Sequence, residues 1–177
     1  MKTSETAQSF IHELSNLYVP YFDVTRDTQI GEFPLAFRAE YRRRDERYMF
    51  TKKVKVWRVE NQQVIFAACP NEPIDQSYLE EFQQAIKNHM DDYLPLKTEH
   101  MSTIFVGVII TNQALDQKVI NKTKKIRKVK FLKFGMYGWA EIYLAIIDLS
   151  SNQIFIHRKG KPFVEGIEKM IKEEKAL

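Results

Sequence analysis

Residues 103–111 read Thr-Ile-Phe-Val-Gly-Val-Ile-Ile-Thr, a run that is apolar at odd and even positions alike. A β-strand turns successive side chains to opposite faces, so a half-exposed strand must alternate. This run does not alternate. It suits a strand in the middle of a sheet covered on both sides. A second apolar run, 142–147, is equally uniform. Both fall far short of the roughly 20 residues a membrane helix needs. The chain therefore needs a sheet around these strands and helices packed on it.

The rest of the chain offers those parts. Ala7, Phe10, Ile11, Leu14, Leu17 and Tyr18 recur at helical spacing, with Thr3 or Ser4 as N-cap and Pro20 as terminator. Leu35, Phe37, Ala39 and Tyr41 alternate with Ala36, Arg38, Glu40 and Arg42, which predicts a strand with one buried face. A charged turn at 43–47, a strand at 48–59 and another at 63–69 complete a three-stranded meander. Asp75 opens a second helix, with Ser77 and Glu80 at capping-box spacing as a competing start and Ile74 placed to staple onto Leu79. Asn112 is read as the cap of a third helix over 113–126. Strands follow at 127–134, 139–148 and 153–157, and Pro162 suits the first turn of a last helix. The order is α-βββ-α-β-α-βββ-α. It predicts a single α+β domain spanning 1–177, with a mixed sheet centred on 103–111 and 139–148. The strand at 103–111, its helix and the strand from Arg127 form one candidate βαβ unit.

Size and composition agree. At 177 residues, 44% hydrophobic, with six Gly and six Pro, the chain can bury a core without staples and is neither disordered nor fibrous. The lone Cys69 forms no intrachain disulfide and reads as a buried, inert thiol. The start, MKTSETAQSF, lacks the apolar stretch of a signal peptide, so a soluble cytoplasmic protein is expected.

Charge is distributed unevenly. The net charge of +4 hides two basic segments: 38–58 carries +6 and 118–133 carries +8, leaving −10 on the remainder. Lys118, Lys122 and Lys125 share one helical face, and Lys128 and Lys130 follow on the next strand. With Arg42, Arg43 and Arg44 they are the candidate polyanion-binding residues, because clustered cations release counterions from phosphates. A solvated helix face accounts for the same spacing. Nearby, Gly135-Met136-Tyr137-Gly138 joins two strands. The glycines predict positive φ angles in a tight connection, and Met136 and Tyr137 form a candidate contact loop.

No motif names a reaction. The histidines 12, 89, 100 and 157 have no i, i+4 pair, and His89, Asp91 and Asp92 diverge around a helix, so no metal site is assigned. A Gly-x-Ser-x-Gly elbow and the glycine-rich phosphate loops are missing, and no cofactor or catalytic residue is assigned. The order α-βββ-α-β resembles the core of restriction-endonuclease-like nucleases. That resemblance implies an acidic residue on one strand and acidic-x-Lys on the next, holding a divalent ion at the scissile phosphate. The third strand begins Gln62-Gln63 instead, while Asp116-Gln117-Lys118 sits on a helix and Glu173-Glu174-Lys175 in the tail.

Several strings have a family look: Tyr21-Phe22-Asp23-Val24, Glu99-His100-Met101-Ser102, Phe134-Gly135 with Gly138-Trp139, Asp148-Leu149, and Arg158 with Gly160-Lys161. Over roughly 21–161 the chain resembles an uncharacterised bacterial family, a domain of unknown function. The resemblance implies a bacterial, cytoplasmic protein and brings no substrate or catalytic residue. The reading preferred from sequence is a non-catalytic protein that binds nucleic acid or another polyanion through a basic face. The alternatives are a metal-dependent nuclease or phosphodiesterase with a divergent site, and a protein–protein assembly module.

Overall fold

The computed structural model describes residues 2–41, 62–94, 102–132, 135 and 138–175. Helix α1 (Lys2–Tyr18) leads into a hairpin of β1 (Phe22–Ile30) and β2 (Phe33–Tyr41). Then come β3 (Gln62–Ala68), α2 (Gln76–His89), β4 (Thr103–Thr111), α3 (Gln117–Lys125), β5 (Arg127–Phe131), β6 (Trp139–Asp148), β7 (Gln153–Phe155) and α4 (Glu165–Lys175). The strands form one seven-stranded mixed sheet in the order β1-β2-β3-β4-β6-β5. β4 lies parallel to both β3 and β6, and β5 and β7 pair antiparallel with opposite ends of β6.

Every residue of β4 is buried, as its uniform composition requires. Helices cover both faces. On one, Phe10, Leu14 and Tyr18 of α1 and Ile167 and Ile171 of α4 pack on Ile65, Val106, Val108, Ala145 and Ile147. On the other, Leu79, Phe82 and Ile86 of α2 and Val119 of α3 pack on Phe66, Phe105, Ile109, Leu144 and Ile146. The α+β class, the mixed sheet and the central place of β4 are as the sequence predicts, whereas the other middle strand is β3, and β6 lies one step from the edge.

Several details differ. The stretch 22–30, whose apolar positions do not alternate regularly, is an edge strand. Asp27 takes a φ of 49° in its middle, and the register is the same on either side of it. Opposite this break, the alternation of β2 fails: Leu35 packs with α2, whereas Phe37 and Ala39 pack with α1. α1 begins at Lys2, ahead of its expected cap. α3 is shorter than expected, because Asp116 caps it by accepting from Lys118 N–H at 3.0 Å; Asn112 lies outside the helix. β4 neighbours β6, so the expected βαβ unit with β5 is not formed; β5 instead runs antiparallel to β6. Pro162 falls within a 3₁₀ segment, Arg158–Val164, that precedes α4. Asp75 does cap α2, accepting from Tyr78 N–H at 2.8 Å. The expected strand at 48–59 lies outside the described residues.

Candidate functional site

Helix α3 shows why lysines accumulate where they do. Val119 and Thr123 point inward and are buried, and Thr123 Oγ1 donates to Val119 C=O at 2.8 Å. Ile120 and Lys122 are half-buried, and the other positions face water. Lys122, Lys124 and Lys125 occupy the last turn, where cations complement the helix dipole. That is a folding reason for basic residues here, independent of any ligand.

The geometry goes further than a solvated face. Lys118, Lys122, Lys125 and Lys128 line one shallow depression of about 480 Å³ between α2 and α3, together with the amides of Gln76, Gln83 and Asn121. Four of the eight predicted polyanion-binding residues are thus brought together. Lys122 is engaged by Glu80 of α2. Lys118, Lys125 and Lys128 have no carboxylate within ion-pair distance among the described residues. Lys130 stands on the same sheet face but turns to Asp91 at 2.9 Å. Arg42, Arg43, Arg44, Met136 and Tyr137 lie outside the described residues. The glycines flanking the last two have φ of 85° at Gly135 and 89° at Gly138, as the spacing predicts.

A second constellation, which no local spacing announces, lies on the opposite face of the sheet. Arg127 of β5 pairs across from Tyr143 of β6. Its Nε donates to Tyr143 Oη at 3.1 Å and to Glu141 Oε2 at 3.3 Å. Tyr143 Oη donates to Glu141 Oε2, and Trp139 Nε1 donates to Glu141 Oε1 at 3.0 Å. Burial works to raise the Glu141 pKa, but the donors Tyr143, Arg127 and Trp139 outweigh it and hold the carboxyl below its ordinary value. Burial, then the neighbouring Glu141, push Tyr143 up to about 12. Glu141 is therefore an ionised acceptor serving three donors rather than a group poised to give up a proton. The alternation Trp139-x-Glu141-x-Tyr143 is its sequence signal. It is visible only once the strand's faces are known.

This carboxyl makes stability pH-dependent. A folded-state pKa below the unfolded one stabilises the fold above the ordinary carboxylate pKa. That stabilisation disappears as pH falls through the lowered value. Glu141→Gln is therefore expected to flatten the fall in melting temperature below about pH 4. Melts of both proteins from neutral to acid pH test this, and parallel curves would refute it.

Among the described residues no group of three or more His, Cys, Asp or Glu is placed to hold a metal ion. His89 Nδ1 sits 3.8 Å from Asp92, while Asp91 is drawn away to Lys130. Asp116 is spent as the cap of α3, and β3 opens with Gln62 and Gln63. Cys69 is half-buried, and burial pushes its thiol pKa up. No described helix is long and apolar enough to cross a membrane. A family model with the description "Domain of unknown function (DUF8052)" matches residues 6–169. No curated protein and no solved structure matches the chain.

Proposed function

The chain belongs to this domain-of-unknown-function family, as the strings between Tyr21 and Lys161 imply, and we propose that it is a non-catalytic, bacterial cytoplasmic protein that binds a polyanion, nucleic acid foremost, on the lysine-lined depression. The observation that carries this is the convergence of Lys118, Lys122, Lys125 and Lys128 with three side-chain amides. Cations attract phosphates and release their counterions, and the amides offer neutral donors to phosphate or sugar oxygens. Such contacts position a nucleic acid without reading its bases.

Glu80 sets how many contacts form. It neutralises Lys122, which leaves three lysines for phosphates. On duplex DNA the slope of log K against log salt is then about −2.7, from roughly −0.9 per contact. Glu80→Gln releases Lys122 and steepens the slope to about −3.6. Replacing Lys118, Lys125 and Lys128 by Ala abolishes most of the salt dependence and leaves the melting temperature nearly unchanged, because these side chains are exposed. Anisotropy titrations of a labelled duplex at several salt concentrations read all three proteins. Equal, weak binding by the wild type and the triple variant would reduce the lysines to a solvated face.

A further inference from the structure

β5 ends the sheet on the β6 side, and no strand lies beyond it among the described residues. Lys128, Val129, Lys130 and Phe131 are all exposed. Leu132 N–H donates to Gly138 C=O at 3.0 Å, one step past the last pair of the ladder. Bonded and non-bonded pairs alternate along an antiparallel ladder. Residues 128, 130 and 132 therefore turn their backbone groups toward β6. Arg127, Val129 and Phe131 turn theirs outward.

The side chains divide in the same regular way. Val129 (38% exposed), Phe131 (68%) and its cross-strand neighbour Trp139 (42%) stand on one face, and they are three of the four exposed large apolar residues among those described. Lys128 and Lys130 stand on the other. The Trp139 ring is held in place by its bond to Glu141, itself fixed by Arg127 and Tyr143. An aromatic ordered before its partner arrives loses little freedom on binding. The opposite edge of the sheet is different: Arg26 of β1 is tied to Ser15 and Asn16 of α1, and Asp27 interrupts the extended backbone. Interruptions of this kind blunt an edge against strand addition.

We infer that the free edge of β5 docks an extended, acidic segment of another protein, which adds one strand to the sheet. Its apolar side chains cover Val129, Phe131 and Trp139, and its carboxylates face Lys128 and Lys130. The exposed pair between Lys130 and Asp91 is weak enough to exchange partners. Charge argues against a second copy of this chain in that place. β5 carries Arg127, Lys128 and Lys130 with no acid, so pairing with itself would oppose like charges. The division of faces argues against nucleic acid. Rings and ammonium groups lie on opposite sides of the strand, which suits a peptide whose side chains alternate.

A labelled peptide alternating glutamate and valine is the probe, with the same peptide carrying lysine in place of glutamate as control. The acidic peptide is expected to bind and the basic one to fail. Val129→Pro should weaken binding by about tenfold or more. It should leave the melt intact, since the N–H it removes points away from β6. Should that variant melt early, Phe131→Ser, at an exposed position, makes the same test. Trp139→Ala should weaken peptide binding and leave duplex binding unchanged, whereas the double variant Lys118→Ala, Lys125→Ala, which spares Lys128, should weaken the duplex and keep the peptide, so the two proposals fail separately. Equal binding of both peptides, or full binding by well-folded Val129→Pro, overturns the inference. A wild-type dimer abolished by Val129→Pro assigns the edge to a second copy instead, and loss of the duplex in Trp139→Ala assigns the rings to nucleic acid.

Discussion

Val108→Asp is expected to destabilise the protein severely. Val108 sits in the middle of β4, paired with Ala67 of β3 on one side and Ala145 of β6 on the other. Its side chain is fully buried among α1, α4 and the sheet. The side chains packed around it are apolar, so the new carboxylate either stays charged in poor surroundings or takes up a proton and remains a poorly satisfied polar group. Either outcome costs several kcal/mol, roughly 4 or more. A whole domain is stable by only about 5–15 kcal/mol, so a loss of that size removes a quarter of the margin at the least and nearly all of it at the lower end. Val129→Thr, a polar change that keeps the branched side chain on the exposed edge, should shift stability by no more than about 0.5 kcal/mol. Circular dichroism melts of both variants decide it. A soluble Val108→Asp protein with the wild-type melting temperature would show that β4 is not the centre of the sheet.

Phe82→Ala carries the next largest effect, about 3–5 kcal/mol. Phe82 is fully buried on α2 and stacks on Phe33 with ring centroids 4.5 Å apart. It also reaches toward Gly107 of β4. A Cβ built on that glycine would lie 2.9 Å from Phe82 Cε1 and 2.5 Å from Leu144 Cδ2. The missing side chain at 107 is what lets α2 lie close over the central strand. Gly107→Ala alone should therefore cost about 1–3 kcal/mol through overpacking. In the Phe82→Ala background one of the close neighbours is gone and Leu144, still 2.5 Å from the added methyl, gains the vacated space to turn into, so the cost should fall below that. Chemical denaturation of the two single variants and the double variant measures this coupling. Additive losses would mean that the helix and Gly107 do not meet as described.

The basic patch and the edge proposed for docking differ in how far they could be read from the chain. The lysines at 118, 122 and 125 share a face by helical spacing alone, so their convergence was legible. The partnership of Lys122 with Glu80 was not, because it joins residues 42 positions apart. The Glu141 network was equally hidden. It needs Arg127 and Tyr143 opposite each other, and that register belongs to the sheet.

What the sequence determined by itself were the features set by local chemistry. Uniformly apolar runs required β4 and β6 to be interior strands, since only burial on both faces tolerates them. Asp75 capped α2 and Gly135 and Gly138 took positive φ, because a nearby carboxylate or a missing Cβ suffices for each. Tertiary structure decided the rest. β1 was invisible because Arg26 and Thr28 interrupt its apolar positions and Asp27 breaks its pleat; its place depends on β2 beside it and on the bonds from Arg26 to α1. The same break sends Leu35 and Phe37 to different cores, which no period of two predicts. The direction of β5 turned on whether it paired with β4 or β6. A strand's own residues allow either neighbour, and only the assembled sheet, with β6 occupying the place beside β4, leaves one.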